Sequence, residues 1–249
     1  DLALLEQKGI CEKQIEEQLA CFEKGFPFLE IIASASVQKG IRVIDNEAQI
    51  KYMEAWDTYL SKNKRILKFV PASGAASRMF KDLYEFLSSE ANEPQNAFIE
   101  KFFASLTSFA FYNALDAVCL KNEKRTIPQL LSDKEYKAVV DNLLSEKGLN
   151  YGQLPKGLLL FHSYPSGVRT AMEEHLSEGA LYAKNNAAEV NIHFTVSPEH
   201  KALFEQLVAA KLPAFENKFS VRYDISFSVQ KPSTDTLAGD SANQSFWVS

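Results

Sequence analysis

The sequence of 249 residues has only three cysteines, Cys11, Cys21 and Cys119, and none of them belongs to a CxxC pair. Disulfide frameworks and zinc sites require pairs of closely spaced ligands, so neither is expected. Reduced thiols are typical of a cytoplasmic protein. No apolar run approaches the roughly 20 residues that cross a bilayer, and no basic stretch precedes an apolar one at the N-terminus. We therefore expect a cytoplasmic protein that has no contact with a membrane.

The sequence also lacks an excess of positive charge, because its formal net charge at pH 7 is −5. Domains that bind nucleic acid are typically basic, so no nucleic-acid partner is expected, although a local basic pocket for a phosphate is compatible with this charge. The spacings of a Walker loop (GxxxxGK[ST]) and of a dinucleotide-binding loop (GxGxxG) are absent too. With 46% hydrophobic and 24% charged residues, the composition is typical of a globular protein.

Helical and strand-like patterns alternate along the chain. Apolar residues three or four apart predict N-terminal helices over residues 1–64 and a helical insertion over residues 82–150. Strands are predicted at "ILKFVP" (Ile66–Pro71), "GLLLF" (Gly157–Phe161), "VNIHFTV" and "FSVRYDISFSVQ", with helices between them. This alternation predicts one α/β domain over residues 1–249 with a mainly parallel sheet. Ligands of such sheets bind beyond the carboxyl ends of the strands, where we expect the loops after Phe69 and Phe161.

A run of small residues joins the first predicted strand to the following helix. The run consists of Ala72, Ser73, Gly74, Ala75, Ala76 and Ser77, and Arg78 follows at once. Glycine allows a positive φ, and small side chains leave backbone N–H groups open to a ligand. A helix N-terminus adds unpaired N–H donors and partial positive charge, and arginine adds a fork suited to phosphate oxygens. The pattern indicates a phosphate-binding loop; a tight turn in which small residues serve only packing is the alternative.

A second motif, "PKGLLLF", begins at Pro155 and follows the predicted insertion. Together with "ASGAASRM" it resembles the start of the sugar-nucleotide pyrophosphorylases, whose pattern is approximately L-x-G-G-x-G-T-R-M/L and later P-K-A-L-x-P. Gly74, Ser77, Arg78 and Lys156 fit that pattern. The pattern is not matched at Ser73 and Ala76, which replace glycines, or at Leu160, which replaces the second proline. The two motifs also lie further apart here than in those enzymes.

Four longer segments are similar to the bacterial family called domain of unknown function 4301. They are "FVPASGAASRMFK", "PKGLLLFHSYPSGVRTAMEEHL", "HFTVSPEH" and "QKPSTDT", and the resemblance covers most of the chain. It implies a Rossmann-like, mainly parallel sheet of the nucleotide-diphosphosugar transferase type. It also implies a nucleotidyltransferase that joins a nucleoside triphosphate and a sugar 1-phosphate and releases pyrophosphate. A non-catalytic nucleotide- or phosphate-binding module of the same fold is the alternative, and a helical scaffold is a third hypothesis.

The resemblance assigns roles to the residues that match it. The loop from Ala72 to Ser77 would bind the triphosphate through its N–H groups, and Arg78 would neutralise the leaving pyrophosphate. Lys156 would bind the phosphates at the reacting centre, and Gln230 matches a position that contacts the base or the sugar. Mg²⁺ is expected for activity. No carboxylate of the sequence is assigned as its ligand, and the chain ends in the strand-like "SFWVS". We therefore expect the N-terminal part of a longer protein, with the metal ligand outside it.

The segment "HSYPSGVRT" from His162 has the spacing of the tyrosine-phosphatase loop, H-C-x5-R-[ST], with Ser163 in place of the cysteine. A serine hydroxyl cannot be ionised at a helix N-terminus as a thiol can, so phosphatase activity is not expected. A phosphate-binding loop without chemistry is a further alternative for this segment. The remaining histidines, His175, His193 and His200, are expected to be structural or solvated, because their spacing does not indicate a metal cluster.

Overall fold

The structure, a computed structural model, describes residues 2–240 and 245–248. Within these residues it has ten α-helices, α1 to α10: Leu2–Lys8, Glu12–Lys24, Asn46–Leu60, Lys81–Ser88, Ala97–Ala104, Tyr112–Glu123, Ile127–Ser132, Tyr136–Leu144, Ala171–Tyr182 and Lys201–Phe219. Its seven strands, β1 to β7, are Leu67–Pro71, Leu160–Tyr164, Gly167–Thr170, Glu189–Val196, Arg222–Val229, Leu237–Gly239 and Phe246–Val248. No helix among the described residues is long and apolar enough to cross a membrane. Ser249, beyond which we expect the protein to continue, lies outside the described residues.

The chain divides into two compact units, one of residues 1–62 with 230–249 and one of residues 63–229. The first unit contains α1, α2, α3 and the antiparallel hairpin of β6 and β7. Helix α2 contacts this hairpin through an edge-to-face pair of Phe22 and Phe246, whose ring centroids are 4.9 Å apart. Lys8 Nζ donates a hydrogen bond of 2.6 Å to Asp235 Oδ2 in the same unit. These contacts join the two ends of the sequence within one unit.

The second unit is built on a parallel sheet of three strands in the order β1-β4-β5. Its register places Val70, Phe194 and Phe227 side by side on one face. Side chains alternate between the two faces of a strand, and this face is apolar and covered by α9 and α10. Met172 of α9 and Phe204 of α10 belong to the resulting core. The predictions of a mixed α/β class and of parallel strands are therefore confirmed.

The other face of the same sheet is polar and aromatic. Phe69 is 60% exposed there and stacks on His193, with ring centroids 5.3 Å apart. The ring nitrogens of His193 lie 2.9 Å from Ser226 Oγ and 2.8 Å from Ser228 Oγ. Both nitrogens of His193 are therefore occupied by hydroxyl groups of the neighbouring strand, which agrees with the structural role expected for this histidine.

Helices α4 to α8 form a second hydrophobic core in the same unit. Leu83, Leu115, Leu130 and Leu143 are almost fully buried in it. The buried amide of Asn142 also lies there and is satisfied, because its Nδ2 donates to Glu123 Oε1 and to the carbonyl of Ala138, at 2.9 and 2.8 Å. The short helices pack on each other around this core, as the periodicity of their apolar residues requires.

The segment that follows this helical core differs from the sequence prediction. The predicted strand Gly157–Phe161 is displaced, because Lys156–Leu158 forms a 3-10 turn and β2 begins only at Leu160. Strand β2 pairs antiparallel with β3 in a separate hairpin and does not join the parallel sheet. Gly167, with φ of 122°, lies at the turn end of that hairpin, and few other residues tolerate this conformation. The expectation that the loop after Phe161 lies at the carboxyl edge of the main sheet was therefore wrong.

Candidate functional site

The loop after β1 lies at the carboxyl edge of the parallel sheet. The backbone N–H of Ala72 donates to the carbonyl of Thr195 at 2.7 Å, which continues the pairing of β1 with β4 by one residue. The chain then leaves the sheet and meets the second motif, because the N–H of Lys156 donates to the carbonyl of Gly74 at 3.1 Å. Ala75 and Pro155 form an isolated antiparallel bridge beside this bond. The two motifs are thus neighbours in the structure, although 81 residues separate Gly74 from Pro155 in the sequence.

A cavity of about 160 Å³ opens where the two motifs meet. Most of its wall is apolar, and its titratable side chains are those of Lys156 and His175. The residues that line it are Val70, Pro71, Ala72, Gly74, Lys156, Gly157, Ala171, Met172, His175, Phe194 and Phe204. Lys156 is exposed, and among the described residues its ammonium group has no ion-pair or hydrogen-bond partner. The cavity therefore combines an unpaired cation with a wall of low polarity.

Two glycines of this cavity have different roles. A Cβ at Gly157 would lie 2.8 Å from the ring of Phe204, so glycine permits the 3-10 turn to approach α10 closely. A Cβ at Gly74 would have no neighbour within 4 Å, and Gly74 is not among the glycines with positive φ. The positive φ that glycine would allow is therefore not adopted at Gly74, and a role of its N–H group in binding stays a prediction. The absence of its side chain leaves the rim of the cavity open.

The other predicted loop residues lie around the cavity rather than in its wall. Ser77 and Arg78 are exposed in a 3-10 helix, Ser77–Phe80, that precedes α4. Ser73 is half-buried and Ala75 is exposed, and neither belongs to the lining residues. Ala76 is buried in the helical core beside Phe80, so packing accounts for its small side chain. Gln230 follows the end of β5, is exposed, and belongs to the first unit.

His175, which the sequence analysis treated as structural or solvated, is one of the lining residues. Its Nδ1 lies 3.0 Å from Glu178 Oε2 on the same face of α9. Partial burial alone would raise the pKa of Glu178, but hydrogen bonds from Lys68, His175 and Tyr182 together lower it to about 2. The i,i+3 spacing of His175 and Glu178 indicates that they share a helix face. It does not indicate that this face meets the loop at Gly74.

The basic residue of the hairpin of β2 and β3, Arg169, is paired within the fold. Arg169 donates to Glu174 Oε1 at 2.9 Å and to Ser177 Oγ at 2.8 Å. Its guanidinium group also lies over the ring of Tyr164, 4.3 Å from the centroid. Because Glu174 neutralises the charge of Arg169, these contacts do not favour the alternative of a second phosphate loop in "HSYPSGVRT", which stays a prediction.

Mg²⁺, which the family resemblance implies, does not fit the residues of this cavity. Magnesium requires oxygen ligands, and the lining residues include no carboxylate. Residues 2–240 and 245–248 contain no group of three or more His, Cys, Asp or Glu side chains that could hold a metal ion. Asp224 pairs with Arg65 at 3.0 Å, and Asp235 pairs with Lys8 at 2.6 Å. A ligand from outside this chain stays a prediction.

Comparison with known proteins gives one match. The family model for the domain of unknown function (DUF4301) matches residues 1–249. No curated protein and no solved structure matches the chain. Because the family model covers the whole sequence, the chain belongs to the family described as domain of unknown function (DUF4301).

Proposed function

We propose that this chain binds the phosphate groups of a nucleoside triphosphate at the cavity between Gly74 and Lys156. The observation that carries the proposal is the hydrogen bond of 3.1 Å between the backbones of these two residues, at the carboxyl edge of a parallel sheet. That edge is where open α/β sheets bind their ligands. A small-residue loop and a lysine that are remote in sequence therefore meet at the place where this class of fold supports binding.

The charge of the cavity favours an anion. Lys156 carries three N–H donors and is not neutralised by any described carboxylate. Electrostatic attraction is stronger beside an apolar wall than in bulk water, because the effective dielectric constant is lower. The wall formed by Phe194 and Phe204 thus strengthens the attraction between Lys156 and a phosphate.

The size of the cavity limits which part of the ligand it holds. Its volume of about 160 Å³ is smaller than the roughly 300 Å³ at which pockets for whole organic ligands begin. One phosphoryl group suits this volume, and the remainder of a nucleotide would extend over the exposed part of the loop. Gly74, Ala75 and Arg78 are exposed residues of that part of the chain.

The reaction that we propose joins the nucleoside triphosphate to a sugar 1-phosphate with release of pyrophosphate, on a sheet of the Rossmann-like nucleotidyltransferase type. The attacking phosphate oxygen is already an anion, so the protein has to position the reactants and stabilise negative charge. Lys156 would stabilise the reacting phosphoryl oxygens. The N–H groups of Ser73–Ser77 would bind the triphosphate, and Arg78 would neutralise pyrophosphate. The contact of Gln230 with the base or the sugar stays a prediction from the family resemblance.

The second candidate is a phosphate- or nucleotide-binding module without turnover. The position of Arg78 favours it, because this residue is exposed and does not line the cavity. In this case Lys156 would still bind the phosphate, but no second fixed cation from the loop would stabilise the leaving group. The two candidates differ in turnover and not in binding.

A ligand screen with matched lysine variants tests both candidates. Calorimetry and thermal unfolding would be measured with the four nucleoside triphosphates and with pyrophosphate, in the presence of MgCl₂. The proposal predicts binding to the unsubstituted chain and loss of binding in Lys156→Ala, with no loss in Lys121→Ala, which removes an exposed lysine of α6. Pyrophosphate release on addition of sugar 1-phosphates identifies the transferase, and binding without release identifies the module. Absence of binding by every nucleotide and by pyrophosphate would overturn both candidates.

A further inference from the structure

His175 is the second titratable side chain in the wall of the cavity. It lies in the second turn of α9, lines the cavity with Gly74 and Lys156, and keeps 34% of its side chain exposed. His193 provides a contrast in the same unit, because serine hydroxyls occupy both of its ring nitrogens. Only one ring nitrogen of His175 has a hydrogen-bond partner among the described residues, and that nitrogen is Nδ1.

The partner of Nδ1 determines which nitrogen of His175 is left for a ligand. Glu178 is held as a carboxylate by Lys68, which donates a hydrogen bond to it from β1. A carboxylate only accepts hydrogen bonds, so Nδ1 of His175 carries a hydrogen at 3.0 Å from Glu178 Oε2. The nitrogen that is left for a ligand is therefore Nε2. Protonation converts Nε2 from an acceptor into a positively charged donor.

The start of α9 does not itself supply an anion site beside this histidine. Thr170 and Glu173 form a capping box, in which the N–H of Glu173 donates to Thr170 Oγ1 at 3.2 Å and the N–H of Thr170 donates to Glu173 Oε2 at 2.8 Å. Lys211 pairs with the buried carboxylate of Glu173 at 3.0 Å. The end of the helix is thus already occupied by an anionic side chain, and attraction of a ligand depends on Lys156 and His175.

We infer that His175 is the second cationic group of this cavity and that its protonated Nε2 donates a hydrogen bond to the phosphoryl group that Lys156 binds. The inference rests on the proposed function. Glu178, which Lys68 holds in place, contacts the ring at Nδ1 and leaves Nε2 without a partner among the described residues, so the imidazole is positioned before the ligand arrives. The titratable or charged groups around the ring are Glu178 and Tyr182 on α9, Lys68 on β1 and Lys156 on the 3-10 turn.

The inference predicts that anion binding weakens as the pH rises through the range in which histidine loses its proton. Sulfate is a suitable probe, because its charge is constant between about pH 5.5 and about pH 8.5. A hydrogen bond to a charged donor corresponds to about a tenfold change in affinity, so sulfate should bind about tenfold more weakly at the upper end of that range. His175→Gln should bind sulfate with the same weak affinity at every pH. The matched control, His193→Gln, should keep the pH dependence of the unsubstituted chain.

The histidine ring signals in NMR give a second measurement, made on the unsubstituted chain. The sequence has four histidines, so each signal can be assigned by comparison with single substitutions. Sulfate should shift the ring signals of His175 and leave those of His193 unchanged. Sulfate binding that is independent of pH, but lost in Lys156→Ala, would overturn the role of His175 and leave the proposed function standing. If neither sulfate nor pyrophosphate binds at any pH, the proposed function and the inference both fail.

Discussion

The loop after β1 and the hairpin of β2 and β3 differ in what their basic residues contact. Lys156, which is bonded to the loop through its backbone, has an exposed side chain without a partner among the described residues. Arg169 of the hairpin is only 16% exposed and is paired with Glu174 at 2.9 Å. A basic residue near a phosphate-loop sequence is therefore available to a ligand only where no carboxylate of the fold already neutralises its charge.

The largest expected effect is on the binding of pyrophosphate at the loop after β1, beside Lys156. Lys156→Ala should weaken the binding of pyrophosphate by about a hundredfold, because it removes a charge-assisted contact to the phosphoryl group. The unfolding free energy should change by less than about 0.5 kcal/mol, since the side chain is exposed. Calorimetric titration and urea denaturation measure the two quantities. A destabilised Lys156→Ala variant would show that this lysine is a structural residue like Arg169.

The converse result is expected at the hairpin. Arg169→Ala should lower the free energy of unfolding by about 2 kcal/mol, because it leaves the largely buried carboxylate of Glu174 unpaired. It should leave the affinity for pyrophosphate within about twofold of the unsubstituted chain, since its donors face Glu174 and Ser177. Urea denaturation checks the first statement and calorimetry the second. A large loss of affinity in a folded Arg169→Ala variant would remove the distinction between the two regions.

The two glycines of the cavity, Gly157 and Gly74, should differ in how much their substitution by alanine destabilises the chain. Gly157→Ala should destabilise the chain by about 1–2 kcal/mol, because its methyl group would lie 2.8 Å from the ring of Phe204. Gly74→Ala should change stability by less than about 0.5 kcal/mol, since its methyl group would extend into open space. Thermal unfolding of both variants measures the difference. Equal destabilisation would indicate that Gly74 has a structural role that its open surroundings do not show.

The smallest expected effect is on the stability of the chain at low pH, and it arises from Glu178. Its pKa is lowered from 4.5 to about 2, so the folded state binds this proton less readily than the unfolded state does. The stabilisation is therefore complete above about pH 4.5 and is lost as the pH falls towards 2. Because 40% of the side chain is exposed, the contribution is less than about 1 kcal/mol. Glu178→Gln should show a shallower loss of stability than the unsubstituted chain between these pH values, and identical acid profiles would contradict the assignment.

The sequence allowed the central strands to be predicted, because β4 and β5 carry apolar residues such as Ile192 and Phe227 at every second position, as strands do. The hairpin was missed because neither Leu160–Tyr164 nor Gly167–Thr170 alternates regularly between apolar and polar residues. Gly74 and Lys156 were associated through a family resemblance, and no local pattern shows that Lys156 donates to Gly74. The position of His175 depends on how α9 packs on the sheet. Tertiary packing of this kind is not encoded in the spacing of residues on one helix.

The most direct test of the central claim is a titration of the ¹⁵N-labelled chain with pyrophosphate, followed by backbone amide NMR signals. We predict that the largest shifts fall on residues 72–78 and 156–158, with small shifts on the amides of the hairpin at residues 160–170. The same titration of Lys156→Ala should leave both groups of signals unchanged. Shifts that are concentrated on the hairpin, or that persist in Lys156→Ala, would contradict the assignment of the Gly74–Lys156 cavity as the phosphate site.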